Sequence, residues 1–189
     1  YNNVGTRHVR SEFVPRRDSK GEVEGYYAMV QDVTAQHQDQ QALQRHAARM
    51  DFLNTLANET QRLRDADEIL AVTTRLVGQH LGVSNCAYAD MDTDQDGFTI
   101  RGDWAAPGSR SIVGHYSLAD FGKLAVQELG AGRPLVVNDN LAELAPEEAA
   151  TFQSIGITAT ICMPLIREGR LTALMAIHDR SARVWSEDE

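Results

Sequence analysis

The chain has 189 residues, 42% of them hydrophobic, and carries a formal net charge of −9 at pH 7. This length and composition suit one well-packed domain with an additional segment, or two small domains. Binding to nucleic acids or to anionic membranes depends on basic patches, so the charge argues against both kinds of partner. No apolar run reaches the length of a membrane span, and the two cysteines, Cys86 and Cys162, are isolated, which favours a cytoplasmic location.

The first 34 residues are typical of β structure. Runs rich in β-branched and aromatic residues predict strands at 9–14 and 25–33, joined by a polar turn around residues 17–21. A two-stranded hairpin alone is only marginally stable in water, so we expect these strands to belong to a larger sheet. Asp32 or Thr34 can then cap the element that follows.

Residues 35–64 predict one long helix, because they contain no Gly or Pro and are rich in Gln, Ala, Leu and Arg. Its apolar residues form an imperfect heptad seam through Leu43, Met50 and Leu53. We expect this seam to hold two copies of the chain together as a homodimer. There are two alternatives: a second apolar stripe, Phe52, Leu56 and Leu63, docks on the following domain, or the segment is a solvated linker helix.

From residue 65 onward, helical and strand patterns alternate. We predict helices at 65–81, 117–129 and 145–154, and strands at 86–91, 98–104, 135–137, 157–166 and 171–178. Phe98, Ile100 and Trp104 are expected to share one face of their strand, and Ser117 with Asp120 is expected to cap the second helix. The predicted fold class is α+β, with an antiparallel sheet of five or six strands and helices packed on it.

The closing hairpin is the most informative part of the chain. Two nearly continuous apolar runs flank the turn Arg167-Glu168-Gly169, which predicts central strands that are covered on both faces. The second run ends in a polar segment from His178 to Trp185. This arrangement is compatible with the wall of a ligand pocket, and equally with a plain core that has a polar rim.

Seven short segments occur in an order that is typical of one family: IRGDW at 100–104, FG at 121–122, GAGRPLVV at 130–137, MPLI at 163–166, GRL at 169–171, AIH at 176–178 and RVW at 183–185. With them, residues 65–189 resemble a GAF domain, and more narrowly the bilin-pocket type of phytochromes. The segment from Ser186 resembles the start of a last helix that is truncated. GEVEGY at 21–26 and DVT at 32–34 resemble the C-terminal end of a PAS domain over residues 1–34, and residues 35–64 would then be a signalling helix between the two.

The resemblance implies a cytoplasmic input module that regulates a downstream output domain, usually a histidine kinase or a diguanylate cyclase, through the helix or a dimer interface. In related photoreceptors a Cys-His pair begins the helix before the closing hairpin, and the thiol attaches the bilin. Glu147 and Glu148 stand at that point here, so we predict no covalent bilin and no other cofactor. One alternative is a degenerate GAF scaffold for dimerisation. Another, which rests only on Cys86 and Cys162, is a cysteine-dependent reductase.

Candidate site residues combine aromatic surfaces for stacking with groups that bind anions or accept hydrogen bonds from a small-molecule ligand. They are Arg101, Asp103, Trp104, His115, Tyr116 and His178. His178 matches a histidine that contacts bilin in the family. The spacing of Asp92, Asp94 and Asp96 before Gly97 resembles a calcium loop, but an acidic hairpin turn is the simpler interpretation, so these three are weak metal candidates. No catalytic motif occurs, and we predict no catalytic residue.

Overall fold

The computed structural model describes residues 6–186, which divide into two units between Asn54 and Thr55. In the first unit, β1 (Val9–Arg17) and β2 (Val23–Asp32) pair antiparallel. Nearly every residue of both strands is exposed. The two predicted strands are confirmed, and both are longer than predicted.

Helix α1 (Thr34–Thr60) follows β2 directly and runs across the boundary between the units. A carboxylate oxygen of Asp32 accepts a hydrogen bond from the backbone N–H of Thr34 at 2.9 Å, and the Thr34 hydroxyl accepts one from the backbone N–H of His8 at 2.8 Å. These bonds tie the start of the helix to both strands of the hairpin. The helix ends four residues before its predicted end at 64. Within residues 6–186, no helix is both long and apolar enough to cross a membrane.

The second unit contains a six-stranded antiparallel sheet in the order β5-β4-β3-β8-β7-β6. Its strands are β3 (Asn85–Met91), β4 (Gly97–Ala105), β5 (Gly114–Ser117), β6 (Leu135–Val137), β7 (Ala159–Arg167) and β8 (Arg170–Asp179). Its helices, besides the end of α1, are α2 (Ala66–Leu81), α3 (Lys123–Gly130), α4 (Asn140–Glu143) and α5 (Pro146–Ser154), with a 3-10 turn at Leu118–Phe121. The predicted α+β class is confirmed, whereas the two four-residue elements β5 and α4 were not predicted.

Helix α2 covers one face of the sheet. The side chain of Asp65 accepts hydrogen bonds from the backbone N–H groups of Asp67 and Glu68, and Gly82 ends the helix in the left-handed region with a φ of 60°. Both ends agree with the prediction. Beneath this helix lies an apolar cluster that includes Cys86 and Trp104.

A bulge between β3 and β4 reverses the side-chain alternation along β4. The pairing shifts by one residue after Tyr88, which leaves Arg101 as the extra residue of β4. Phe98 and Ile100 therefore face the side opposite α2, whereas Trp104 faces α2. The prediction that these three side chains share one face is wrong, because strict alternation holds only while the register is unbroken.

The predicted helix 117–129 is interrupted at Gly122. This residue has a φ of 99°, which no helix accommodates, so the 3-10 turn ends before it and α3 begins after it. The predicted cap by Ser117 and Asp120 is absent. Instead, the Ser117 hydroxyl donates a hydrogen bond to Asp96 at 2.7 Å.

Candidate functional site

An apolar cavity of about 50 Å³ lies in the second unit, between the sheet and the helices α3 and α5. Every side chain of its wall is buried except Ile155, which is partly buried. The sheet contributes Ala87, Ala89, Phe98, Ile100, Leu135, Thr160, Cys162, Leu174, Ala176 and His178. The helices and connecting segments contribute Ile112, Leu118, Phe121, Ala125, Leu129, Phe152 and Ile155.

Aromatic packing and one carboxylate hold the helices over the cavity. Phe121 and Phe152 pack edge to face, with 5.0 Å between their ring centroids. In the first turn of α5, Oε1 of Glu148 accepts a hydrogen bond from the backbone N–H of Lys123 at 3.0 Å. The same side chain fills the space beside Gly122, where a Cβ atom would collide with it. Glu148 therefore joins the start of α5 to the start of α3.

His178 provides the imidazole of the cavity wall. The residue is 8% exposed, and its Nδ1 lies 2.7 Å from the hydroxyl oxygen of Thr160. That hydroxyl is also placed to donate a hydrogen bond to the carbonyl of Ile177 at 3.2 Å. Burial lowers the pKa of His178 to about 4, so the imidazole is neutral at pH 7.

We expect His178 to make the second unit less stable as the pH falls from 6.5 towards 4. The folded imidazole stays neutral down to its pKa of about 4, whereas the unfolded one protonates near 6.5. In this interval the unfolded state binds more protons than the folded state does. The free energy of unfolding therefore falls by about 1.4 kcal/mol for each pH unit. Urea unfolding at pH 7.5 and 5.5, followed by tryptophan fluorescence, should show a loss of about 1 kcal/mol in the wild type that His178→Gln lacks. Equal losses in both proteins would contradict this assignment.

Tyr116 and Asp103 lie behind the cavity wall and support it. The Tyr116 ring stacks on Phe98 with 5.6 Å between centroids, and its hydroxyl donates a hydrogen bond to the carbonyl of Ile112 at 2.9 Å. Burial raises the pKa of Tyr116, and the nearby Asp103 carboxylate raises it further. Asp103 accepts a hydrogen bond from the backbone N–H of Ile112 at 2.8 Å. Both side chains therefore hold a wall residue in place.

The other three candidates lie away from the cavity. Arg101 forms ion pairs with Asp67 at 2.6 Å and with Asp90 at 3.2 Å, on the side of α2. Trp104 packs in the cluster beneath α2, and His115 is exposed on β5. Of the six candidates, one lines the cavity, two support its wall and three lie elsewhere.

The acidic turn between β3 and β4 uses its carboxylates within the fold. Asp94 accepts hydrogen bonds from the backbone N–H groups of Asp96 and Gly97, both at 2.9 Å, and these bonds lower the pKa of Asp94. Asp96 accepts from the backbone N–H of Ala119 at 2.8 Å. Across residues 6–186, no group of three or more His, Cys, Asp or Glu side chains is arranged to hold a metal ion.

Sequence comparison identifies the family of the second unit. The family description of the GAF domain matches residues 65–189. The chain belongs to the GAF domain family. No curated protein matches the chain in sequence.

Solved structures similar to this GAF protein include phytochrome chromophore-binding domains. The chromophore-binding domain of the bacteriophytochrome RpBphP3 from R. palustris matches with a TM-score of 0.63 and 12% identity, over 74% of this chain and 54% of that chain. This chain thus spans about half of that one. The phycocyanobilin-bound GAF domain from a cyanobacterial phytochrome matches with a TM-score of 0.63 and 15% identity, over 74% and 84%. Free methionine-R-sulfoxide reductase from Neisseria meningitidis matches with a TM-score of 0.59 and 17% identity, over 77% and 80%. At these identities the likeness shows the fold alone.

The two thiols of the GAF unit lie on opposite faces of its sheet. Cys162 lines the cavity, whereas Cys86 packs beneath α2 with Ile161 and Ile177. Burial raises the pKa of both thiols to about 12, with a further contribution from Asp103 at Cys86. Little thiolate is present at neutral pH, and the sheet separates the two sulfurs. The geometry therefore does not support the reductase alternative.

Two carboxylates begin the helix beside the GAF cavity, and the cavity itself is small. Glu147 and Glu148 occupy the first turn of α5, so no thiol lies at that position. The volume of about 50 Å³ is far below the roughly 300 Å³ at which small-molecule pockets begin. A tetrapyrrole would require the helices to move away from the sheet.

Sequence reasoning missed Asn140 as a structural residue. It is completely buried, its Nδ2 donates to the carbonyl of Ile157 at 2.7 Å, and its Oδ1 accepts from Nε2 of Gln153 at 2.8 Å. These bonds join α4, α5 and the segment that leads into β7. An asparagine beside Asp139 is an ordinary turn signal, so the sequence offers no sign of this role.

Replacing Glu148 by alanine is expected to lower the free energy of unfolding of the GAF unit by about 1 kcal/mol. The change removes an acceptor and a negative charge from the N-terminus of α3, whose own cap, Gly122, has no side chain to replace them. Glu147→Ala is the matched control, because Glu147 lies in the same turn and is exposed. Urea unfolding measures both, and equal effects would show that Glu148 does not join the helices.

Proposed function

We propose that this chain is a sensory input module, in which the GAF unit binds a small ligand in its cavity and thereby regulates a downstream output domain. A histidine kinase is the output domain that best suits such a module, and a cytoplasmic setting suits both. The observation that supports this proposal is a neutral, buried histidine in the wall of an otherwise apolar cavity. A cavity between a sheet and the helices that cover it is where a small ligand would be held.

A covalent bilin is not part of the proposal, although the cyanobacterial GAF domain described above binds phycocyanobilin. Cys162 is the thiol in the cavity wall, and its pKa of about 12 leaves it a poor nucleophile. Protein expressed with biliverdin available should therefore show no visible absorption band after purification. A band that persists, with or without a covalent adduct in the mass spectrum, would contradict this part of the proposal.

We further propose that α1 joins two copies of the chain and transmits the signal. Leu43, Met50 and Leu53 are 69%, 45% and 44% exposed, and they follow the heptad spacing. The double variant Leu43→Glu, Met50→Glu should weaken dimerisation at least tenfold by placing like charges in the seam, while Gln44→Glu should change it little. Analytical ultracentrifugation measures the dissociation constants. A wild type that stays monomeric at high concentration would refute the dimer.

The hairpin of the first unit supports the assignment of residues 1–34 to the end of a PAS domain. Phe13, Tyr26 and Tyr27 are more than 60% exposed, so the described residues provide no cover for them. A larger sheet and its core would bury such side chains. The first five residues lie outside the described part of the chain.

A scaffold that binds no ligand is the second candidate function, and the small volume of the cavity favours it. In a sensor, a change in the cavity alters α1, whereas in a scaffold it does not. Ala176→Val fills part of the cavity with two methyl groups, and Ala182→Val adds the same groups at an exposed position. For a sensor, hydrogen exchange in α1 should change in the first variant and not in the second. A change confined to the cavity wall would favour the scaffold.

A further inference from the structure

The segment 179–185, here called the strap, follows β8 and contains the RVW motif. Residues 180–185 lie outside the helices and strands, so no regular backbone pattern holds them. Hydrogen bonds to the end of α2 and to the end of β6 hold them instead. The strap is therefore positioned by its contacts with other elements of the GAF unit.

The side chain of Arg183 attaches the strap to α2. Its Nη2 donates a hydrogen bond to the carbonyl of Leu81 at 2.9 Å, and its Nη1 donates to the carbonyl of Gly82 at 3.3 Å. Carbonyls at the C-terminus of a helix lack partners within the helix and carry partial negative charge, so a guanidinium is favourable there. Nη1 also lies 3.4 Å from Oδ2 of Asp179, the residue directly after His178. Arg183 thus joins α2 to the end of β8.

Trp185 attaches the strap to β6. The indole N–H donates to the carbonyl of Val137 at 3.0 Å, and the backbone N–H donates to Oδ1 of Asn138 at 3.1 Å. Strand β6 lies at the edge of the described sheet, so these bonds occupy a side where no further strand is paired. The guanidinium of Arg183 lies 4.7 Å from the centroid of the Trp185 ring, and the two attachments therefore support each other.

The two strands that the strap joins both contribute to the cavity wall. Leu135 of β6 and His178 of β8 line the cavity, and Val137 packs in the same apolar cluster as Leu135. Helix α2 lies on the other face of the sheet, and residues 61–65 connect its start to the end of α1. Close-packed elements transmit strain, so a displacement of either strand would change the bonds at the C-terminus of α2.

We infer that the strap is the connection through which a change in the cavity wall reaches α2, and from there α1. In the closed state described here, Arg183 and Trp185 hold the end of α2 and the end of β6 together. Most of these bonds come from side chains, so the strap can open locally while the sheet stays folded. The inference rests on the proposed sensory function and adds the route from the cavity to the signalling helix.

Hydrogen exchange of the full chain tests the inference, with Ala176→Val as the change in the cavity. In the wild-type background, this substitution should alter exchange in the last turn of α2 and in α1 at least about threefold. In an Arg183→Gln background it should alter exchange less than about 1.5-fold, because glutamine lacks the guanidinium fork that binds several acceptors at once. Arg180→Gln is the matched control. The Arg180 guanidinium donates to the carbonyl of Gly108 instead, so the full effect should remain.

A second variant, Trp185→Phe, keeps an aromatic ring and loses the hydrogen bond to Val137. It should also reduce the effect of Ala176→Val, and it replaces Arg183→Gln if urea unfolding shows that the latter does not fold. An effect as large in these variants as in the wild type would overturn the inference and leave the sensory function intact. No effect in the wild type would overturn the sensory function, and the inference with it.

Discussion

Replacing Phe152 by alanine is expected to lower the free energy of unfolding of the GAF unit by about 3–5 kcal/mol. Phe152 is 3% exposed, lines the cavity and packs its ring against Phe121. Alanine removes this contact and leaves a larger void, because the helix cannot move fully towards the sheet to fill it. Urea unfolding is the measurement, and the fluorescence of Trp104 and Trp185 reports it specifically because both lie in this unit.

Two control variants define what the result means. Phe152→Leu keeps most of the volume and should cost roughly 1–2 kcal/mol. Val136→Ala shortens an apolar side chain that is 47% exposed and should change the stability by less than about 0.5 kcal/mol. A loss below about 1 kcal/mol for Phe152→Ala would show that α5 does not pack over the cavity as described.

Replacing Asn140 by alanine is expected to cost about 1–3 kcal/mol, although the change removes only a few atoms. It leaves the buried carbonyl of Ile157 without its short hydrogen bond, which costs about 1–3 kcal/mol, whereas the amide of the exposed Gln153 can be hydrated when it loses its own. Gln153 keeps a longer bond to Ile157 at 3.3 Å, which limits the loss. The same urea unfolding assay measures the effect.

Asn140→Asp separates hydrogen bonding from side-chain size. Aspartate has almost the same shape, but it loses the donor to Ile157 and buries a charge, so at pH 7 it should destabilise the unit at least as much as alanine does. Asn58→Ala, at an exposed position of α1, should change the stability by less than about 0.5 kcal/mol. If Asn140→Ala behaved like Asn58→Ala, the buried hydrogen bonds of Asn140 would be of no energetic importance.

Much of the fold could be predicted from the sequence because its signals are local. Asp65 and Gly82 mark the ends of α2 by their own chemistry, and the apolar runs around Glu168 and Gly169 predict the closing hairpin. The break at Gly122 was missed because helix propensity alone does not reveal a positive φ. The bulge at Arg101 was missed because the alternation of side chains along one strand does not show where its pairing with the neighbouring strand shifts.

The candidate site was predicted less well, because it depends on contacts between distant parts of the chain. His178 was identified through a family resemblance and does line the cavity. Arg101 and Trp104 have the right chemistry, but Trp104 faces α2 because of the bulge, and Arg101, next to the cavity-facing Ile100, pairs with Asp67 of that helix. Glu148 and Lys123 are 25 residues apart in the sequence, and no sequence pattern predicts the hydrogen bond between them.

A crystal structure of the full chain under xenon pressure tests the central claim most directly, namely that the GAF unit contains a small apolar site whose wall includes His178. We expect one strong anomalous peak in the cavity, in contact with Phe152 and Ala176, with α3 and α5 in place over it. An absent peak in well-ordered density would contradict the claim. A wide pocket that is open to solvent would also contradict the claim, because such a pocket could accommodate a ligand of the size of a bilin.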